Sequence, residues 1–410
     1  MTLRFYEKPQ QDEVKEVIGQ NMKNYCLDEG YRQHVAGLLK TRSLLSRRQM
    51  KMVVKKPSTD PESCLEELVK RGFPNGGFIF LNEDVTRAYG ADEGGITKQF
   101  VTELCEALVK KGKLELGVNS LPKTSGSEDS LTILHNYGIL LSQLFEKNDK
   151  SSQSTRARGK PVTGQIFSEQ FFTIMQINER LDLSQQDKDL AIRDIVAKGD
   201  PHIALLAEFL QTPSEEKKAS VYEILRIMSD EEIEVSLDDI ASLQALCKGF
   251  FDAYTNAAKA VYEGLSPILK QKVVAQGSKL SKQLQGESID VDRLIGCILH
   301  SSYDGEKFAQ RTRWLADKIR SEAQDPQLTW VKAFLFYVTG QKVMNSDFSM
   351  EVVPSRFELC CAHTCFNQIE IPMSDEAPYV DPNNELTPEE RFIKSVEYAI
   401  NMSGINFDGS

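Results

Sequence analysis

Leu359-Cys360-Cys361-Ala362-His363-Thr364-Cys365-Phe366-Asn367-Gln368-Ile369-Glu370-Ile371-Pro372 is the stretch from which the fold is read. Ile369 and Ile371 alternate with polar residues, the period of a strand with one face in a core. Ahead of them, His363, Thr364 and Cys365 stand where a turn is expected. The reading is a reactive thiol at Cys365, held by a strand that the core anchors. Two blander readings compete with it. A free cysteine is also a small hydrophobe that packs in interiors. A zinc half-site from Cys360, Cys361, His363 and Cys365 is disfavoured, because adjacent cysteines rarely converge on one ion and no second CxxC or HxxxH pair occurs in the chain.

Composition narrows the class. The 410 residues, 40% hydrophobic and 27% charged, suffice for two or three domains with a sizeable core. A formal net charge of -11 argues against a nucleic-acid partner, which needs a basic surface to displace counterions. No apolar run approaches the roughly 18 residues of a spanning helix, and the N-terminus lacks a basic-then-apolar leader, so no membrane association is expected. Cysteines at 26, 64, 105, 247, 297, 360, 361 and 365 show no paired framework, as in a reducing compartment. A cytoplasmic protein with free thiols is expected.

Outward from the cysteine turn, Phe334-Leu335-Phe336-Tyr337-Val338-Thr339-Gly340 has the length and the β-favouring composition of a strand ended by glycine. Val352, Phe357 and Leu359 are expected in neighbouring strands. Thr387-Pro388-Glu389-Glu390 reads as a helix start, with Thr387 as N-cap and Pro388 in the first turn, followed by inward-facing Phe392, Ile393, Val396 and Ile400. Ser321 to Pro326 is short, polar and stopped by proline, the composition of a hinge. Apolar spacing marks 167–210 as helical, the segment carrying Leu131, Leu134, Tyr137, Gly138, Leu141 and Leu144 reads as a buried helix, and 244–265 and 304–320 are expected to be helical. Residues 149–160 read as a polar loop, and Gly76 to Leu81 as a strand leaving a glycine turn.

Gly90 to Gly95 forms a turn into a helix whose apolar face is Phe100, Val101, Leu104 and Leu108. A phosphate cradle is not indicated there, because the chain has no GxxxxGK[ST]. Residues 1–56 read as two amphipathic helices with 12 Lys or Arg against 6 Asp or Glu. Their Arg47-Arg48-Gln49-Met50-Lys51 cluster is a solvated face or a partner-binding patch.

Ala362-His363-Thr364-Cys365-Phe366-Asn367-Gln368, followed by an Ile-x-Ile-Pro strand, resembles the active-site signature of HECT-type ubiquitin-protein ligases. In that family an Ala-His-Thr-Cys-Phe-Asn run carries the thioester cysteine. Gly90, Asp92, Gly94, Gly95, Lys98 and Phe100 are similar to the family's Gly-x-Asp-x-Gly-Gly turn and the start of its helix, where the turn is structural. Cys247 to Phe251 with Gly264 to Leu269, Ser278 to Gly286, and the Val338-Thr339-Gly340 run continue the likeness.

The resemblance spans roughly 77–410 and implies an α+β protein of two lobes. A basic helical extension (1–56) precedes a mainly helical large lobe (57–322), with a conjugating-enzyme docking subdomain around 213–245. A hinge (323–327) then leads to a small α+β catalytic lobe (328–410). The implied activity is transfer of ubiquitin from a conjugating enzyme to Cys365 as a thioester, and then to a lysine. Within that scheme Thr364 is an orienting group, and His363 a structural donor in the same loop. Phe407, by composition alone a frayed terminal residue, becomes an aromatic that orients the thioester for lysine attack.

The implied partners are ubiquitin, a ubiquitin-conjugating enzyme and a protein substrate, with no cofactor and no metal. The location is the cytoplasm, or a host's cytoplasm if the chain is a bacterial effector. Two other readings are a cysteine hydrolase that releases its acyl group to water, and a non-catalytic interaction module.

Overall fold

A computed structural model of the chain describes residues 52–54, 60–72, 78–80, 95–151, 161–228, 239–301, 303–345, 347–355, 359–364, 366–376, 380–383 and 385–408. In chain order the elements are β1 (Met52–Val54), α1 (Pro61–Arg71), β2 (Phe78–Phe80), α2 (Gly95–Lys110), α3 (Glu128–Ser151), α4 (Glu169–Asn178), α5 (Gln185–Ala197), α6 (Pro201–Gln211) and α7 (Glu215–Met228). They continue with α8 (Ile240–Gly264), α9 (Pro267–Gln276), α10 (Ser278–Gln285), α11 (Val291–Leu299), α12 (Glu306–Glu322), α13 (Thr329–Thr339), β3 (Glu351–Ser355), β4 (Cys361–His363), β5 (Gln368–Pro372) and α14 (Pro388–Asp408). The protein is mostly helical with a small mixed sheet, an α+β architecture. It divides into two compact units: Met1–Ala107 with Gln143–Gln165 and Gln283–Ser410, and Leu108–Ser142 with Ile166–Lys282.

The second unit is built on α8. Asp239 starts this helix by accepting a hydrogen bond from the Ala241 amide at 3.0 Å, filling one of the donors a helix start leaves open. The helix packs against α4, α5, α6 and α7. Gly138 of α3 and Gly264 of α8 meet backbone to backbone. A Cβ on Gly138 would stand 2.0 Å from the Val261 carbonyl oxygen, and one on Gly264 would stand 2.1 Å from that of His135. Any side chain would force the two helices apart. Within the segment expected to dock a conjugating enzyme, Val221, Leu225 and Leu243 are core, whereas Ile227 is 71% exposed. Ile233, Val235 and Leu237 lie outside the described residues.

The first unit holds the three-stranded sheet, in the order β3-β5-β4. One apolar cluster runs from Leu294, Leu315 and Ile319 through Val331, Phe334 and Val338 to Val352, Ile369, Ile371, Phe392 and Val396. Residues before and after 323–327 therefore bury their side chains in common. Asp325, in that connecting stretch, accepts from the amides of Gln327 at 2.9 Å and of Thr329, the first residue of α13, at 3.0 Å.

Several elements differ from the sequence reading. The run 334–340 is not a strand but most of α13. Val331, Phe334, Leu335 and Val338 are fully buried at the helical spacing i, i+3, i+4, i+7. Gly340, at φ 75°, ends the helix with its amide bonded to the Phe336 carbonyl. The aromatic and β-branched content that favoured a strand is outweighed by the apolar stripe, the Asp325 bond to the first helical amide and the glycine cap at the end. Helix α14 starts as expected, with the Glu390 amide bonded to the Thr387 hydroxyl and the Glu390 carboxylate returning to the Thr387 amide, a reciprocal capping box. It continues through Asp408, so the helix takes in Ile405 to Asp408 of the C-terminal segment. Helix α3 runs on to Ser151, into the segment expected to be a loop. The helices expected over 1–56 lie outside the described residues, except that Met52–Val54 is a strand paired in parallel with β2.

Candidate active site

Strand β5 is the centre of the sheet, parallel to β3 and antiparallel to β4, with Cys361 opposite Glu370 and His363 opposite Gln368. Its alternation works as the sequence predicts. Ile369 and Ile371 are fully buried with Val352 on one face, and the opposite face carries Ser355, Cys361, His363 and Glu370. On that polar face His363 Nε2 lies 2.8 Å from Glu370 Oε1, and Ser355 Oγ donates to Glu370 Oε2 at 3.1 Å. The carboxylate fixes the orientation of the imidazole.

The turn from β4 to β5 is held from three sides. The Phe366 amide donates to the His363 carbonyl at 2.9 Å, reversing the chain. Asn367 has φ 48°, in the left-handed region that asparagine tolerates better than most residues. Its carbonyl accepts from the Glu351 amide at 2.9 Å, and its Nδ2 donates to the Ser349 carbonyl at 3.1 Å. The third hold comes from far away in sequence. Lys98 Nζ, from the first turn of α2, donates to Asn367 Oδ1 at 2.9 Å and to the Thr364 carbonyl at 3.0 Å. Lys98 is 1% exposed and Asn367 2%.

Of the expected site residues, His363 and Thr364 are thus brought together at the end of β4. Cys365 lies outside the described residues, between Thr364 and Phe366. Phe407 falls in the backbone of α14, where composition alone suggested a frayed terminus. Thr364 was expected to act through its hydroxyl; the contact found is made by its carbonyl.

Neither neighbouring thiol is drawn toward its thiolate form, although Cys361 is exposed and Cys360 is buried. Burial pushes Cys360 up to about 12. Cys361 is raised by burial and then by the Glu370 carboxylate.

Glu370 is a site residue that the sequence reading did not single out; Lys98 and Asn367 stood in the two family-like runs, but neither was given a part in the site. Lys98 had a local signal: it falls on the same helical face as Val101 and Cys105, both fully buried, where a lysine is out of place. The pairing of His363 with Glu370 had none, since it depends on strand register. Neither a protein-family model nor a curated protein matches the chain. Among the described residues, no group of three or more His, Cys, Asp or Glu side chains could hold a metal ion, and no helix is long and apolar enough to cross a membrane.

Proposed function

We propose that the protein is a ubiquitin-protein ligase of the HECT type, an acyl transferase working through a thioester on Cys365. The observation that carries this reading is the signature Ala362 to Gln368 at the edge of a core-anchored sheet, with its turn fastened on both sides of Cys365, at Thr364 and Asn367. A nucleophile whose neighbours are fixed meets its acyl donor in a restricted set of geometries, which is where much of the rate of such a transfer arises.

In the first step the Cys365 thiolate attacks the carbonyl of ubiquitin held on a conjugating enzyme. One carbon–sulfur bond forms, another breaks, and the conjugating enzyme's thiolate leaves. In the second, a substrate lysine amine attacks the new thioester. Cys365 leaves as thiolate, the nitrogen loses a proton, and an isopeptide bond remains. The first exchange is near balance and the second is downhill, so the sequence of steps calls for a reactive thiol and for access. His363, held by Glu370, and Thr364 orient the loop, and Phe407 orients the thioester for the lysine. The partners are ubiquitin, a conjugating enzyme and a protein substrate, in a cytoplasmic setting.

Incubation with activating enzyme, conjugating enzyme and ubiquitin tests this directly. A Cys365 adduct that thiol reductants remove, followed by stable product, supports the ligase. Cleavage of a ubiquitin chain in its place points to a hydrolase, and neither outcome leaves an interaction module. Removal of Phe407 to Ser410 is expected to leave the thioester forming while isopeptide product falls.

A further inference from the structure

We infer that Lys98 is the positioning residue of the Cys365 turn: it clamps the peptide joining Thr364 to Cys365 and the side chain of Asn367, and the positive charge it brings there favours the thiolate of Cys365. This rests on the thioester reading above. Lysine ordinarily keeps its ammonium in water and buries only its stem, and enclosing the charged end is costly unless its donors are satisfied. Lys98 is enclosed, and two of its hydrogen bonds go to the turn that carries the candidate nucleophile.

Its position is fixed by more than those two bonds. Lys98, Thr102 and Glu106 follow one another at intervals of four on a single face of α2. Glu106 accepts from Lys342 Nζ at 2.7 Å, and the Thr102 hydroxyl, which donates to the Lys98 carbonyl at 3.1 Å, stands 3.5 Å from that of Gly340. The Glu106–Lys342 pair thus joins α2 to the chain around 340–342 on the same face that presents Lys98 to the turn. A cation bonded to the peptide carbonyl next to a cysteine stabilises negative charge on that cysteine, as lysine neighbours do generally. Among the described residues, the other titratable groups of the sheet that carries the turn are Cys361 and His363 on β4, Glu370 on β5 and Glu351 on β3. All of them are common to the variants below, so a comparison isolates Lys98.

The test is timed alkylation of the whole chain with iodoacetamide from about pH 5.5 to about pH 10, reading Cys365 by peptide mass spectrometry. In the unaltered protein the Cys365 midpoint is expected below the ordinary thiol value of about 8.5. Lys98→Met and Lys98→Gln are expected to raise it by about one unit or more and to slow alkylation at neutral pH roughly tenfold. Lys98→Arg, which keeps the charge, is expected to stay near the unaltered protein.

An unaltered midpoint at or above about 8.5 overturns the inference with no variant needed. So does a midpoint that Lys98→Met or Lys98→Gln leaves in place, or one that Met, Gln and Arg move alike in folded protein, which would make Lys98 a packing residue. The measurement uses no ubiquitin, so the two readings fail separately. A low, charge-dependent midpoint without a ubiquitin adduct removes the ligase and keeps Lys98. A ubiquitin adduct on a Cys365 indifferent to Lys98 does the reverse.

Discussion

Lys98 and Arg311 each reach from a helix to hold a loop of the same unit, but they hold it through different acceptors. Arg311 of α12 is 2% exposed and lies 5.1 Å from the centre of the Phe392 ring. It donates to the Ser374 carbonyl at 2.6 Å and to the Asp375 carboxylate at 2.7 Å, and Lys307 meets the same carboxylate at 2.6 Å. That loop is fastened by charge to charge, with an aromatic face beneath the guanidinium. The hold of Lys98 on 364–367 runs through a peptide carbonyl and a side-chain amide, so its positive charge is brought to the backbone of the turn. The contrast separates a fastening whose purpose is complete in the folded state from one that also alters the chemistry of what it holds.

The sharpest way to test that contrast is Cys365→Ala. Loss of all thioester and product with an unchanged melting temperature is expected, because the substitution removes the nucleophile and one atom of packing. Retained autoubiquitination, or its loss in Cys360→Ala or Cys361→Ala in place of this variant, would break the assignment of the turn as the chemical site.

Asn367→Ala attacks the Lys98 side of the comparison. It removes two side-chain hydrogen bonds, one buried and one part-buried, and puts alanine at φ 48°, for a loss of about 3 kcal/mol in denaturant unfolding. Asn367→Gly, which accepts the left-handed backbone, should lose less.

Arg311→Met attacks the other side. A loss of about 2 kcal/mol is expected from its hydrogen bonds and ring contact, with the alkylation midpoint of Cys365 unmoved. A shifted midpoint would show that the two loops are coupled and would undo the contrast.

Asp375→Asn gives the smallest effect, under about 1 kcal/mol, because the carboxylate is half exposed and solvent screens the pair. Its sign is set by pH. The Lys307 hydrogen bond, and then the charges of Lys307 and Arg311, hold the Asp375 carboxyl below its ordinary value. The pair therefore stabilises the fold above the ordinary carboxyl value of about 4, and that stability is lost as pH falls below it. Stability measured across that window should converge for the two proteins in acid. A difference that persisted there would assign the effect to packing.

What the sequence determined by itself was local. The alternation of Ile369 and Ile371 named the buried face of β5, and the Thr387-Pro388 pair named the start of α14. The helical spacing of Phe100, Val101, Leu104 and Leu108 named α2, since each pattern is written within a few residues of the backbone it describes. The resemblance at Ala362 to Gln368 is of the same kind, a contiguous run.

Where local signals conflicted, the tertiary structure decided. Residues 334–340 carry strand-favouring side chains, yet they form a helix because Asp325 bonds its first amide, Gly340 ends it and the core takes four residues of one stripe. Contacts distant in sequence left no local trace. His363 meets Glu370 only in the register that β4 and β5 adopt. Lys98 meets Thr364 across 266 positions. Periodicity records which face of an element is apolar, and it carries no information about which distant backbone a buried polar group on that face will find. That partner is set only when the elements pack, and the candidate site is made of such partners.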